Sequence, residues 1–189
     1  GVSKQMDILA SQSDSLRGHF ATMGEATQYT QGQMDALARA GIKPSIDSAS
    51  LLTGSFKKLQ AYTGMSGEQF NALTAELATD QDIQEQLRAA TSEERKQIMA
   101  STTARMAERV ALGMTTDQAK NVTKALAKMG NMAPTDRIKQ AAKLRAMGGA
   151  MGIEGANEAA DIMIKGKRAS PEELKRLEEF HSNMSNKMS

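Results

Sequence analysis

Four pairs stand out in this chain in which a Ser or Thr is followed three residues later by a Glu or Gln, just before apolar residues at helical spacing. The pairs are Ser66 with Gln69, Thr91 with Glu94, Thr115 with Gln118, and Ser170 with Glu173. The hydroxyl can accept from an exposed amide of a first helical turn, while the longer side chain reaches back to the capping residue's own amide. Each pair is therefore a reciprocal helix-start signal. Glycines mark the ends: Gly64 follows a segment with Ala49, Leu52, Phe56 and Leu59 at helical spacing, and Gly113 follows one with Ile98, Met99, Met106 and Val110. Further helices are expected from Pro134 to Met147, from about Ala156 to Lys165, and from Pro171 onward. Strand alternation is almost absent, so the chain reads as all-α.

Composition decides what can fill the cores of such helices. Of 189 residues, 40% are apolar and 24% charged, while aromatics are 3%, Trp is absent and Met reaches 14. Ala, Leu and Met must do the packing, which favours adaptable cores. The absence of Cys removes disulfides, thiolate metal sites and a cysteine nucleophile. With His19 and His181 as the imidazoles, histidine-based catalysis is not expected, nor is any cofactor; the chain reads as a scaffold rather than an enzyme. A net charge of +2 gives no strong global pull toward nucleic acid or anionic lipid. The longest uncharged stretches, such as Ser48 to Phe56, fall far short of the about 20 residues needed to span a bilayer, and the first residues do not build a signal peptide. A start at Gly1 and a stop at Ser189 suggest a piece of a longer polypeptide.

Residues 1–42 carry a different pattern. Two series at sevenfold spacing, Val2, Leu9, Leu16, Met23, Thr30, Leu37 and Met6, Ser13, Phe20, Thr27, Met34, Gly41, form a heptad seam. The expected fold is thus a long N-terminal helix with coiled-coil-like heptads over residues 1–42, followed over residues 43–189 by an array of short helices arranged as helical hairpins. The first helix would be on the order of 60 Å long. Its apolar seam would be Val2, Met6, Leu9, Leu16, Phe20, Met23, Met34 and Leu37. Ser13, Thr27 and Thr30 interrupt it, and Gly18, Gly24 and Gly32 each cost about 1 kcal/mol relative to Ala. Such a helix needs partners, supplied either by self-association or by the domain on which it lies.

One internal repeat stands out. Gly64-Met65-Ser66-Gly67-Glu68-Gln69 and Gly113-Met114-Thr115-Thr116-Asp117-Gln118 open two strings that stay in register through residues 64–78 and 113–127, at a period in the range of stacked helical arrays. Capped helices that follow a stop glycine also converge on such strings. Gly-Met-Ser/Thr-x-Glu/Asp-Gln strings leading into short Ala/Leu helices resemble those of tape measure proteins of tailed bacteriophages. The Ala- and Met-rich stretch from Ala141 to Gly152 has the same character. The resemblance implies a viral structural protein of the virion tail interior: a homo-oligomer, for instance a trimer, in contact with the tail tube and hub, setting tail length and ejected during infection. Another virion-internal or ejected helical protein is the neighbouring alternative.

Few residues are spaced for chemistry. Glu178 and His181 have the spacing of half a di-iron site, but no second Glu-x-x-His exists, and a solvated polar face is the better reading. The Gly148–Gly152 run follows no strand and lacks Gly-Lys-Ser/Thr, so it reads as a flexible joint. Glu93-Glu94 and Glu172-Glu173 fall in first helical turns, where the helix dipole favours them. Charge is the remaining lead. Lys120, Lys124 and Lys128 form a basic stripe, continued by Lys139 and Lys143; these five are candidate nucleic-acid or partner contacts, and a helical DNA-binding regulator is the reading from another class. No aromatic is interleaved for base stacking.

Overall fold

A computed structural model describes residues 2–188, with side chains described for all of these except residues 2, 5, 13–15, 167 and 188. Every regular element among the described residues is helical: α1 Val2–Leu16, α2 Met23–Arg39, α3 Ile46–Ser50, α4 Thr53–Thr63, α5 Gly67–Thr79, α6 Gln81–Arg88, α7 Ser92–Ala111, α8 Thr116–Asn131, α9 Pro134–Ala150, α10 Ala156–Lys165 and α11 Pro171–Met188, with a 3-10 turn at Gly166–Arg168. The chain divides into two compact units, Gly1–Gly113 and Met114–Ser189.

All four start signals are made. The Gln69 amide donates to Ser66 Oγ at 3.1 Å and the Ser66 amide to Gln69 Oε1 at 2.9 Å. Thr91–Glu94, Thr115–Gln118 and Ser170–Glu173 make the same reciprocal pairs. A fifth box, Ser45 with Ser48, starts α3 and uses a second Ser in place of Glu or Gln. Pro44 and Ser45 mark the opening of this segment in the sequence, but its second partner is a Ser, and what reads as one helix up to Gly64 is two, α3 and α4.

The single long N-terminal helix is not formed. Helix α1 stops at Leu16, the chain turns through Gly18 at φ +83, and α2 begins at Met23 behind Thr22, whose Oγ1 caps the Glu25 amide at 3.1 Å. A left-handed glycine ends a helix at little cost, and a capping Thr starts the next, so local chemistry overrides the heptad spacing. Helix α1 packs against α2 and α3, and α2 against α5, so residues 1–42 belong to the same unit as residues 43–113 rather than forming a domain of their own. Burial follows the seam only in part. Ile8, outside it, is fully buried with Met34 and Ala49, whereas Met6 and Met23 are 65% and 70% exposed. Leu16, Met34 and Leu37 are buried within this chain, Leu9 and Phe20 are half-buried, and the Val2 side chain lies outside the described residues.

In the first unit the core centres on Phe56 of α4. Its ring meets Tyr29 at 4.8 Å between centroids, Phe70 at 5.2 Å, Phe20 at 5.8 Å and His19 at 6.2 Å. Helices α2 and α5 approach closely because two glycines leave room. At Gly67 an added Cβ would sit 2.9 Å from both Phe20 and Tyr29. The same bareness at Gly32 lets Asn71 Nδ2 of α5 reach the Tyr29 carbonyl of α2 at 3.0 Å. On the far side Arg95 of α7 ties the unit together, donating to the carbonyls of Leu87 at 2.9 Å and Gly41 at 3.4 Å.

In the second unit α9 packs on α10, α10 on α11, and α11 on α8. The Gly148–Gly152 run is not one flexible joint. Gly148 and Gly149 lie inside α9, and a Cβ at Gly148 would fall 2.6 Å from that of Ala156 and 2.9 Å from Phe180 Cζ; the turn itself is made by Gly152 at φ +68 and Gly155 at φ +88. Ion pairs dress the rim: Arg145 with Asp161 at 3.1 Å, Arg176 with Glu158 at 2.7 Å, and Lys165 with Glu173 at 2.6 Å. The last, together with the Ser170 amide, holds the Glu173 carboxyl down to about 2.

The two copies of the repeated string fold alike, one in each unit. Gly64 and Gly113 both have positive φ, Met65 and Met114 are both buried, and both boxes close. Behind them the buried positions correspond at every step: Phe70 and Ala119, Leu73 and Val122, Thr74 and Thr123, Leu77 and Leu126, Ala78 and Ala127. Even the buried hydroxyls agree, with Thr74 bonding the Phe70 carbonyl at 2.9 Å and Thr123 the Ala119 carbonyl at 2.7 Å. Ser66→Ala and Thr115→Ala are each expected to lower stability by about 1 kcal/mol, because one exposed amide at each helix start loses its acceptor. Urea unfolding of the two variants checks this, and unchanged midpoints reject it.

Candidate functional site

The second unit holds an open groove of about 560 Å3. Its walls come from four helices: Ala125, Lys128 and Met129 of α8 with Met132 just beyond it; Gln140, Lys143, Leu144 and Met147 of α9; Met163 of α10; and Leu177, His181, Met184 and Ser185 of α11. The groove exists because α8 and α9, although consecutive, barely touch: α8 leans on α11 and α9 on α10. Helix α9 docks through small residues, burying Ala141 and Gly148, and its larger apolar side chains Leu144 and Met147 are left half-covered or exposed. Five of the chain's 14 methionines line this one depression. Among the described residues no carboxylate does; the ionisable groups described along it are Lys128, Lys143 and His181.

The basic stripe is thus divided by the fold. Lys128 of α8 and Lys143 of α9 are exposed and line the same groove, whereas Lys139 is exposed elsewhere on α9. Lys120 pairs with Asp117 at 3.6 Å, and Lys124 is half-buried. Spacing along one helix indicated the stripe, but the approach of Lys128 to the same groove as Lys143 depends on how α8 and α9 splay.

Glu178 and His181 do not form a solvated face. Both are half-buried against α8, in a small apolar niche with Val122, Leu126, Leu174 and Leu177, and Glu178 Oε1 accepts from Asn121 Nδ2 at 3.3 Å. Burial holds the His181 imidazole below its ordinary 6.5 and lifts the Glu178 carboxyl above its ordinary 4.5, the Asn121 bond opposing the second shift. The two act on stability with opposite signs. As pH falls through 6.5 the unfolded chain takes up the His181 proton first, so stability is lost. Just above pH 4.5 the folded chain binds the Glu178 proton first, so a further fall in pH recovers stability there. Urea midpoints for Met114–Ser189, taken within the intact chain, are expected to fall between pH 7 and 5.5, and His181→Leu is expected to flatten that slope. An unaltered slope in the variant rejects the assignment.

The first unit carries a more polar cleft of about 890 Å3, lined by His19, Glu25, Gln28, Tyr29, Gln60, Glu68 and Asn71 among others. His19 Nδ1 bonds Gln60 Oε1, while Asn71 Oδ1 is buried without a partner. Burial raises the Tyr29 hydroxyl far above its ordinary value, and that hydroxyl donates to Gln33 Oε1 at 3.0 Å. Among the described residues no three His, Asp or Glu side chains cluster in a way that could hold a metal ion, and no helix is long and apolar enough to cross a membrane.

Comparison of this chain with protein-family models, with curated proteins and with solved structures gave no match.

Proposed function

We propose that this chain is a folded architectural segment of a tape measure protein of a tailed bacteriophage, carried inside the tail, setting its length with the rest of the parent chain and leaving with the genome at infection. The observation that carries the reading is the repeated string. Its strings resemble those of the family, and its two copies share the stop glycine, the buried Met, the closed capping box and each buried position behind it. A module that ends one helix at a glycine, then starts and docks the next, suits a long polypeptide built by adding like pieces. Cores of Ala, Leu and Met, with few aromatics, suit packing of several copies in a narrow space. Contact between copies would not use the whole heptad seam, since Leu16, Met34 and Leu37 are already buried within this chain; Met6 and Met23 are its exposed members among the described residues.

The test uses the virus whose genome encodes the parent chain. Mass spectrometry of purified virions is expected to find the parent chain in full particles and to lose it from particles that have emptied. In-frame removal of residues 43–189 is expected to change tail length in electron micrographs by a fixed amount. Absence from virions rejects the reading. Presence with unchanged tail length points to another virion-internal or ejected helical protein instead.

A further inference from the structure

We infer that the methionine-lined groove of the second unit is the docking site for an amphipathic helix of another polypeptide whose polar flank is acidic. The inference stands on this unit alone and does not depend on the phage reading. Its floor is apolar: Met129, Leu177 and Met184 are buried, Leu144 and Met163 are half-buried, and Met147 is 39% exposed. These side chains sit in a depression walled on several sides by helices. Helix α9 has 17 residues and fully buries only Ala141 and Gly148, so one long face of it lacks the cover that helices of this length usually find. A further helix laid between α8 and α9 would supply that cover.

Charge selects the kind of helix. Lys128 and Lys143 stand along the groove from two different helices, with no carboxylate among the described lining residues, so acidic side chains flanking an apolar stripe meet complementary charge from both. The sequence of Met114–Ser189 as a whole is positively biased, with 13 Lys and Arg against 9 Asp and Glu. Methionine contributes tolerance, since an unbranched thioether repacks around different guests. Duplex DNA fits less well, because the floor is thioether and aliphatic and no aromatic ring lines it.

The test uses the full chain labelled with 13C at the methionine methyls and two synthetic helical peptides. Both peptides carry the same Leu/Met face; one has Glu and the other Lys on its polar face. The Glu peptide is expected to shift the methyl signals of Met129, Met132, Met147, Met163 and Met184, to leave those of Met23 and Met65 unmoved, and to bind about tenfold more tightly than the Lys peptide at low salt. The double variant K128E/K143E, with both changes at exposed positions and unchanged helicity, is expected to reverse that preference. Equal binding of the two peptides, shifts outside the groove, or no shift would overturn the inference. So would groove shifts produced by duplex DNA or by anionic phosphatidylserine vesicles but not by the Glu peptide.

Discussion

Phe56→Ala is expected to cost the unit Gly1–Gly113 about 3–5 kcal/mol, a large share of the roughly 5–15 kcal/mol that holds a typical domain together. Phe56 is fully buried and touches the rings of Phe20, Tyr29, Phe70 and His19, drawn from α2, α5 and the α1–α2 turn. The chain has four Phe and two Tyr, and four of those six rings meet here. An Ala at this point removes a whole ring and leaves a cavity that neighbours anchored on three other segments cannot collapse to fill. The readout is specific because Trp is absent and both tyrosines, Tyr29 and Tyr62, lie in this unit. Tyrosine fluorescence during urea unfolding should therefore report a much earlier transition in the variant. A midpoint within about 1 kcal/mol of wild type would show that the ring cluster is not what holds the unit.

Adjacent glycines of α9 are expected to respond to alanine with opposite signs. In a helix interior Gly→Ala ordinarily gains up to about 1 kcal/mol, and Gly149, with nothing within 4 Å of an added Cβ, should show that gain. At Gly148 the same methyl would meet the Cβ of Ala156 at 2.6 Å and Phe180 Cζ at 2.9 Å. The Ala156 Cβ is fixed directly to the backbone of α10, so relief requires the two helices to separate. The clash should outweigh the propensity and leave Gly148→Ala about 1–3 kcal/mol less stable. Urea or thermal midpoints read by circular dichroism give both values. Shifts of the same sign in the two variants would mean that α9 and α10 are not this close.

These two glycines also mark the boundary of what could be read along the chain. Gly148 and Gly149 are indistinguishable by any local rule, and together with Gly152 they read as a joint; tertiary contact makes the first a packing residue and leaves the second bare. The single N-terminal helix was not formed for a related reason. A heptad spacing states which residues share a face if the helix continues, but the turn at Gly18 and the Thr22 cap end that continuity, after which Ile8 rather than Met6 faces inward. Glu178 and His181 were legible as one helical face, though not as a face pressed against α8. The groove had no linear signal, because Met129, Met147, Met163 and Met184 come from four helices and no spacing relates them.

What the sequence determined by itself is a group of local signals: helix starts at Ser66, Thr91, Thr115 and Ser170, a stop at Gly64, the all-α class, and a repeated module whose copies fold alike. Those features rest on bonds between residues three or four apart, whose partners are fixed by chain connectivity. Only the tertiary structure decided which faces those helices bury, which glycines are spaces between helices, and where methionines and lysines gather into a groove. Such contacts join positions tens of residues apart, and each depends on the shape left by all the others.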